Sequence, residues 1–123
     1  MSGEIAIQAE RHRSGRWITV PVLVGGIRSI SAVLDTGAPV SGISPDVESS
    51  LLALGLLRSA DQPNRYLLGD LTTHGQRLPS LNVAVIRRLE RLRVDALLGL
   101  DFLNHFERIH FHTRLLQLIL EEA

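Results

Sequence analysis

The chain has no cysteine and no lysine among its 123 residues. Without thiols there is no disulfide, no thiol nucleophile and no zinc–thiolate centre. The lack of cysteine fits a reducing compartment without proving one. All thirteen basic residues are arginine, and thirteen acidic residues balance them to a formal charge of zero. That balance excludes a global electrostatic pull toward nucleic acid or an anionic membrane. Aromatics are scarce, with one Trp, one Tyr and three Phe. Platforms on which bases could stack are therefore few, and no nucleic-acid partner is expected. No apolar run is long enough to span a bilayer. Met1 to Glu10 lack a basic start followed by an apolar stretch, so the reading is of a chain with no signal peptide, placed in the cytoplasm.

What remains is the balance of a globular protein, 45% hydrophobic and 21% charged. The length suits one domain, residues 1–123, around one core. The first third reads as β-structure. Ile5 and Ile7 alternate with Ala6 and Gln8, and Ser14-Gly15 marks a turn. Ile18, Val20, Val22 and Val24 fall on one face at period two. Pro21 in that run lacks an amide donor, which points to an edge strand or a bulge. Gly25-Gly26 matches a tight hairpin. A third strand ends in Ala32-Val33-Leu34.

A helix is expected next. Ser44 suits its cap, Pro45 its first position, and Asp46 and Glu48 its positive end. Val47, Leu51 and Leu54 share a face, and Gly55 is a natural stop. Arg58 to Arg77 is turn-rich and reads as a hairpin or exposed loop. Strands are expected at Leu81–Ile86, at Ala96–Leu100 ending at Gly99, at Ile109–Phe111 and at Leu115–Leu120. A short helix is expected at Asp101–Phe106. Arg87 to Arg93 reads as a solvated connection of alternating charge.

The strongest chemical signal is Val33-Leu34-Asp35-Thr36-Gly37-Ala38. An acid ends an apolar strand, where burying its charge is costly unless hydrogen bonds or partial neutralisation compensate. Gly37 lets the backbone turn and approach a neighbour closely, and Thr36 can extend its hydroxyl into that neighbour. By itself Asp-Thr-Gly also serves as a plain strand exit. This hexapeptide resembles the active-site signature of aspartic peptidases. Ala96-Leu97-Leu98-Gly99-Leu100-Asp101-Phe102-Leu103 resembles the later retropepsin signature, an apolar strand, a glycine and a short helix. The two occur in the right order, and the resemblance runs from about Trp17 to Leu120.

The resemblance implies a mostly β fold, a retropepsin-like closed β-barrel with one medium and one short helix. It implies an aspartic endopeptidase with Asp35 catalytic, Thr36 and Gly37 supporting the active-site loop, and Ala38 on the substrate wall. Gly69 is expected near the tip of a flap over a polypeptide substrate. Only one Asp-Thr-Gly is present, so the second carboxylate must come from a homodimer partner. No metal and no cofactor are expected. The rival expectation, motivated by Pro39 and by the short stretch available for a flap, is a non-catalytic dimerisation or peptide-binding module on the same fold. His110 and His112 share one side of a strand, with His74 or His105 as further candidates, but their spacing demands no metal site and surface histidines are expected. Leu115 to Leu120 is expected as a core strand or as part of a dimer sheet.

Overall fold

The computed structural model describes residues 3–122; residues 1, 2 and 123, at the ends of the expected 1–123 domain, lie outside the described residues. The architecture is mostly β, with a large sheet curled into a half-barrel. The chain opens with β1 (Glu4–Gln8) and β2 (Glu10–Arg11), then forms the long hairpin of β3 (Ile18–Val24) and β4 (Arg28–Leu34). Gly25 and Gly26 both have positive φ, 58° and 69°, and the Ile27 amide donates to the Val24 carbonyl at 3.0 Å. Val24 pairs with Arg28, so residues 25–27 form a three-residue loop, and its two glycines supply the positive φ it needs.

β5 (Gly42–Ile43) and α1 (Pro45–Ala53) follow. Four short strands come next, β6 (Arg58–Ser59), β7 (Arg65–Leu68), β8 (Leu71–Thr73) and β9 (Gln76–Leu78). β10 (Leu81–Val85), α2 (Arg88–Leu92), β11 (Ala96–Leu98) and α3 (Leu100–Leu103) lead to the closing strands β12 (Arg108–His112) and β13 (Gln117–Glu121). The large sheet has the order β6-β7-β10-β5-β11-β4-β3-β8-β9, with β2 also on β3. A smaller sheet has the order β1-β13-β12.

Pro21 sits where a missing donor costs nothing. On the outer side of β3, β2 pairs at Ile18 and Thr19 and β8 pairs at Leu23 and Val24. Pro21 falls in the gap between them and faces only Ser31 of β4.

α1 begins as its sequence dictates, with the Ser44 hydroxyl accepting the Val47 amide at 3.2 Å and Pro45 in the first turn. Val47 and Leu51 turn into the core, while Leu54 lies outside the helix and is exposed. The short helix runs over Leu100–Leu103, earlier than expected, because Gly99 supplies the extended residue before it. The segment read as a charged connection contains a third helix, α2, which the expected pair of helices lacked. It buries Leu89 and ends at Arg93, whose φ of 56° and ψ of 43° form a left-handed cap.

The core gathers Ile5, Ile7, Val20, Val22, Val24, Ile43, Leu51, Val83, Phe102 and Leu118. β13 has neighbours on both sides, β1 and β12, and buries Leu118 and Leu120. It is therefore a core strand, and its two edges are already filled. The sheet's edge strands are β1 and β12, and on β12 Ile109 and Phe111 are exposed. Among the described residues no helix is long and apolar enough to cross a membrane.

Candidate active site

β11 holds the centre of the site. It runs parallel to β4, with Ala32, Val33 and Leu34 opposite Ala96, Leu97 and Leu98. On its other side it runs antiparallel to β5, with Gly42 opposite Leu97 and Ile43 opposite Ala96. The chain thus leaves β4 at Leu34, crosses the end of β11 through residues 35–41, and returns as β5. Gly99 carries β11 out beneath this crossing loop. A Cβ at Gly99 would lie 2.6 Å from the Ala38 carbonyl oxygen and 2.9 Å from the Val40 carbonyl. Only glycine lets the two backbones pass this closely.

The crossing is fastened at several points. The Asp35 amide donates to the Leu98 carbonyl at 3.0 Å, and the Leu100 amide donates to the Ala38 carbonyl at 2.8 Å. Ser41, fully buried, receives the Gly99 amide on its hydroxyl oxygen at 3.0 Å. The same hydroxyl donates to Asp101 Oδ1 at 2.6 Å, and the Ser41 amide donates to Oδ2 at 3.0 Å. Phe102 adds its amide to Oδ1 at 2.8 Å. Asp101 is thus a carboxylate with three donors, and the buried serine is satisfied in return. Neither residue's role is visible in a local motif, because the pair is far apart in sequence.

Asp35 is placed differently. It is half-buried at the mouth of the loop, and its carboxylate accepts the Gly37 amide at 2.8 Å. The Ala38 amide closes the turn onto the Asp35 carbonyl at 3.2 Å. Thr36 and Gly37 are exposed. Asp35, Thr36 and Gly37 therefore lie together, as the sequence implies, and their outer face is open.

A cavity of about 410 Å³ borders Asp35, walled by Trp17, Val33, Leu89, Leu92 and Leu97, with Arg88 also on its lining. Ala38 is buried and packs with Val33, Leu89, Val94 and Leu97. It backs the cavity wall from within the loop, where its amide and carbonyl are both used.

Gly69 is not at a hairpin tip. It links β7 to β8 and borders a separate cavity with Gly25, Leu56 and Ser80. The turn-rich region forms two hairpins, β6–β7 and β8–β9. Their left-handed residues include Asn64 (φ 58°), His74 (φ 47°) and Gly75 (φ 80°). The β6–β7 hairpin is tied down beside its turn. Arg65 donates to the Asn82 side chain at 2.9 Å and to its carbonyl at 2.8 Å, and the Tyr66 hydroxyl donates to Glu48 Oε2 at 2.7 Å. That bond, then burial, then the Glu48 charge raise the Tyr66 phenol above its ordinary value.

His110 lies 3.4 Å from Glu121, and among the described residues no group of three or more metal-ligating side chains converges.

No family model matches the chain, and a search of curated proteins found no significant sequence relative. Solved structures do match. A retropepsin-like aspartic protease from Rickettsia conorii superposes with a TM-score of 0.60 at 23% identity, over 100% of this chain and 93% of that one. The retroviral protease-like domain of Ddi1 from Leishmania major gives a TM-score of 0.53 at 16% identity, over 80% of each chain. The chain has the retropepsin-like fold.

Proposed function

We propose that the protein is an aspartic endopeptidase whose site is completed by a second copy of the chain. The observation that carries this reading is the state of Asp35. Its carboxylate sits at the open mouth of a clamped loop, with a single donor recorded from its own chain. In a two-fold dimer that brings the two loops together, each Asp35 faces its copy. Two adjacent carboxylates do not both ionise cheaply, so they share a proton. The ionised one takes a proton from a water held between them. The protonated one donates to the carbonyl oxygen of the peptide bond, and the water oxygen attacks the carbonyl carbon. Collapse of the tetrahedral intermediate expels the amine, which takes the proton that the first Asp35 received from the water, while the second Asp35 regains its proton from the intermediate's hydroxyl. The pair titrates as a unit.

In this reading Thr36 and Gly37 form the contact between the two loops, Ala38 supports the substrate wall, and the β6–β7 hairpin serves as the flap in place of Gly69. The hairpin turn residue Asn64 borders a groove with Arg87 and Glu90, next to the helix that lines the Asp35 cavity. The fold match to a retropepsin-like protease supports the assignment of class.

Asp35→Asn is expected to lower cleavage of an unfolded protein at mildly acidic pH by on the order of 1000-fold or more. Circular dichroism should show an unchanged fold, and sedimentation should show a dimer. Cleavage by the variant at the wild-type rate would refute the assignment. The second reading is a peptide-binding or dimerisation module. It is favoured by a β6–β7 hairpin with only two paired residues on its β6 side, which gives a cleft little cover. Wild type and Asp35→Asn that bind one peptide equally and cut it at no measurable rate would select that module.

A further inference from the structure

The formal neutrality of the chain hides a division of charge. Residues 10–17 and 87–93 together hold seven of the thirteen arginines and two of the thirteen acids. The rest of the chain carries six arginines against eleven acids. The fold sets the two basic segments side by side. Residues 12–17 make the turn between β2 and β3, whose strands pair Glu10 with Thr19 and Arg11 with Ile18. His12 Nε2 lies 2.9 Å from the carbonyl oxygen of Arg93, the left-handed residue that ends α2. A carbonyl only accepts, so Nε2 donates and ties the turn to the helix. Trp17 from the turn and Arg88, Leu89 and Leu92 from α2 wall the cavity that Asp35 borders.

The cations stand on fixed backbone. The Gly15 amide donates to the His12 carbonyl at 2.8 Å, and the His12 amide donates to the Trp17 carbonyl at 2.8 Å. The Arg16 amide donates to the Ser14 hydroxyl oxygen at 3.1 Å. Arg11, Arg13 and Arg16 of the turn are exposed. Arg87, Arg88, Arg91 and Arg93 around α2 are exposed as well. Among the described residues the ion pair is His110–Glu121, in the smaller sheet, so none of these seven guanidinium groups is paired. Clustered like charges repel one another, and an anion laid across them relieves that repulsion.

We propose that this arginine collar docks an acidic segment of a polypeptide, rich in Asp or Glu and lying outside the bond held at Asp35. The cleavage of that polypeptide rests on the peptidase reading; the docking does not. Carboxylates suit the occupant because a guanidinium fork can bind both oxygens of one. A polypeptide suits it because the collar borders the cavity at Asp35. A nucleic acid would need faces on which to stack. The one tryptophan here is half-buried, with its ring against His12 at a centroid distance of 5.3 Å. A membrane would need apolar anchors, and in the two segments only Leu92 is a large exposed hydrophobic.

The test titrates Asp35→Asn protein at neutral pH with a fluorescein-labelled peptide carrying a run of Glu, and with the same peptide carrying Gln instead. The Glu peptide should bind at least about 10-fold tighter, with an advantage that shrinks as salt rises. Adding Arg13→Gln and Arg16→Gln, or Arg88→Gln and Arg91→Gln, should weaken Glu-peptide binding by about 3-fold per pair, and all four together by about 10-fold. Binding of the Gln peptide should not change. Arg77→Gln with Arg108→Gln removes two exposed cations outside the collar and should leave both affinities as they were. Circular dichroism should show every variant folded, since each substituted arginine is exposed. With Asp35 intact, the Glu run should raise kcat/KM of a cleavable peptide through a lower KM.

Equal affinity for the Glu and Gln peptides overturns the proposal, as does a loss in the Arg77/Arg108 variant equal to that in the collar variants. Tighter binding to a single-stranded oligonucleotide, or to vesicles containing phosphatidylserine, than to the Glu peptide overturns it too. Binding that weakens in the collar variants while no peptide is cut sustains the docking surface and removes the peptidase reading.

Discussion

Asp35 and Asp101 follow the ends of two parallel neighbouring strands, β4 and β11, yet they are bonded in opposite ways. Asp101 receives three donors, two from Ser41 and one from Phe102. Asp35 receives one, from Gly37 in its own turn. A saturated carboxylate has little capacity left for a substrate or a water, and its energy is spent on holding the loop. A carboxylate with open lone pairs at a half-exposed position remains free for chemistry. The difference marks Asp101 as the aspartate that holds the loop and leaves Asp35 as the one open to the chemistry proposed for it. Asp95 also receives one donor on its carboxylate, the Ser31 amide on Oδ2 at 2.9 Å, but that donor comes from β4 and not from its own turn.

The largest effect should come from the crossing that sets both aspartates. Gly99→Ala places a methyl against the Ala38 and Val40 carbonyls. These are backbone atoms held by hydrogen bonds, so the loop must move. A loss of roughly 3 kcal/mol in urea unfolding is expected, together with loss of cleavage. A variant of full stability would mean that the loop is looser than its bonds imply, and the contrast between the aspartates would lose its basis.

Asp101→Ala comes next. It strands the buried Ser41 hydroxyl and two amides, and should cost about 2 kcal/mol. Activity should fall with it, since Ser41 also holds Gly99 beneath the loop. Asp101→Asn should cost less, because one oxygen can still accept while the amide nitrogen cannot serve as the second acceptor. If Asp101→Ala is as stable as wild type, the three-donor carboxylate is not the clamp described here.

Sequence reasoning singled out Asp35 and missed Asp101 as a partner of Ser41, and the cause is physical. The chemistry of Asp35 is local: strand, acid, hydroxyl and glycine are consecutive. The Ser41–Asp101 pair exists only once β5 and β11 lie side by side. Local chemistry likewise announced the Gly25-Gly26 turn and the Ser44-Pro45 helix start. α2 escaped because five of the seven residues from Arg87 to Arg93 are charged, and its helix is held by burying Leu89 rather than by a long apolar stripe. Gly69 misled for the opposite reason. The chain takes left-handed turns at Asn64, Asp70 and His74, while Gly69 sits between strands.

Glu48 offers an intermediate case, a carboxylate with one strong donor from another element. Tyr66 donates to it, and the phenol is raised by that bond first. A group whose value is higher in the folded state contributes stability that is complete below its unfolded value, about 10, and is lost as pH rises through the folded value. Tyr66→Phe should therefore be slightly less stable than wild type at neutral pH. The gap in Tm should close as pH climbs above about 10. A gap that persists or widens at alkaline pH would show that the hydroxyl acts by packing and not through its proton.

The smallest stability effect should be at Asp35 itself. Asn has the same shape, and its oxygen can still accept the Gly37 amide at the 2.8 Å position. Thr36 and Gly37 beside it are exposed, so no buried partner is abandoned. The unfolding free energy of Asp35→Asn should lie within about 0.5 kcal/mol of wild type when both are measured at protein concentrations low enough to keep the chains apart. Raising the concentration adds a sharper comparison. If two copies bring their Asp35 side chains together, the variant pair has no carboxylates to repel, and its dimer should show less dependence on pH than the wild-type dimer. Identical pH dependence in the two dimers would place the Asp35 side chains apart, whatever the fold.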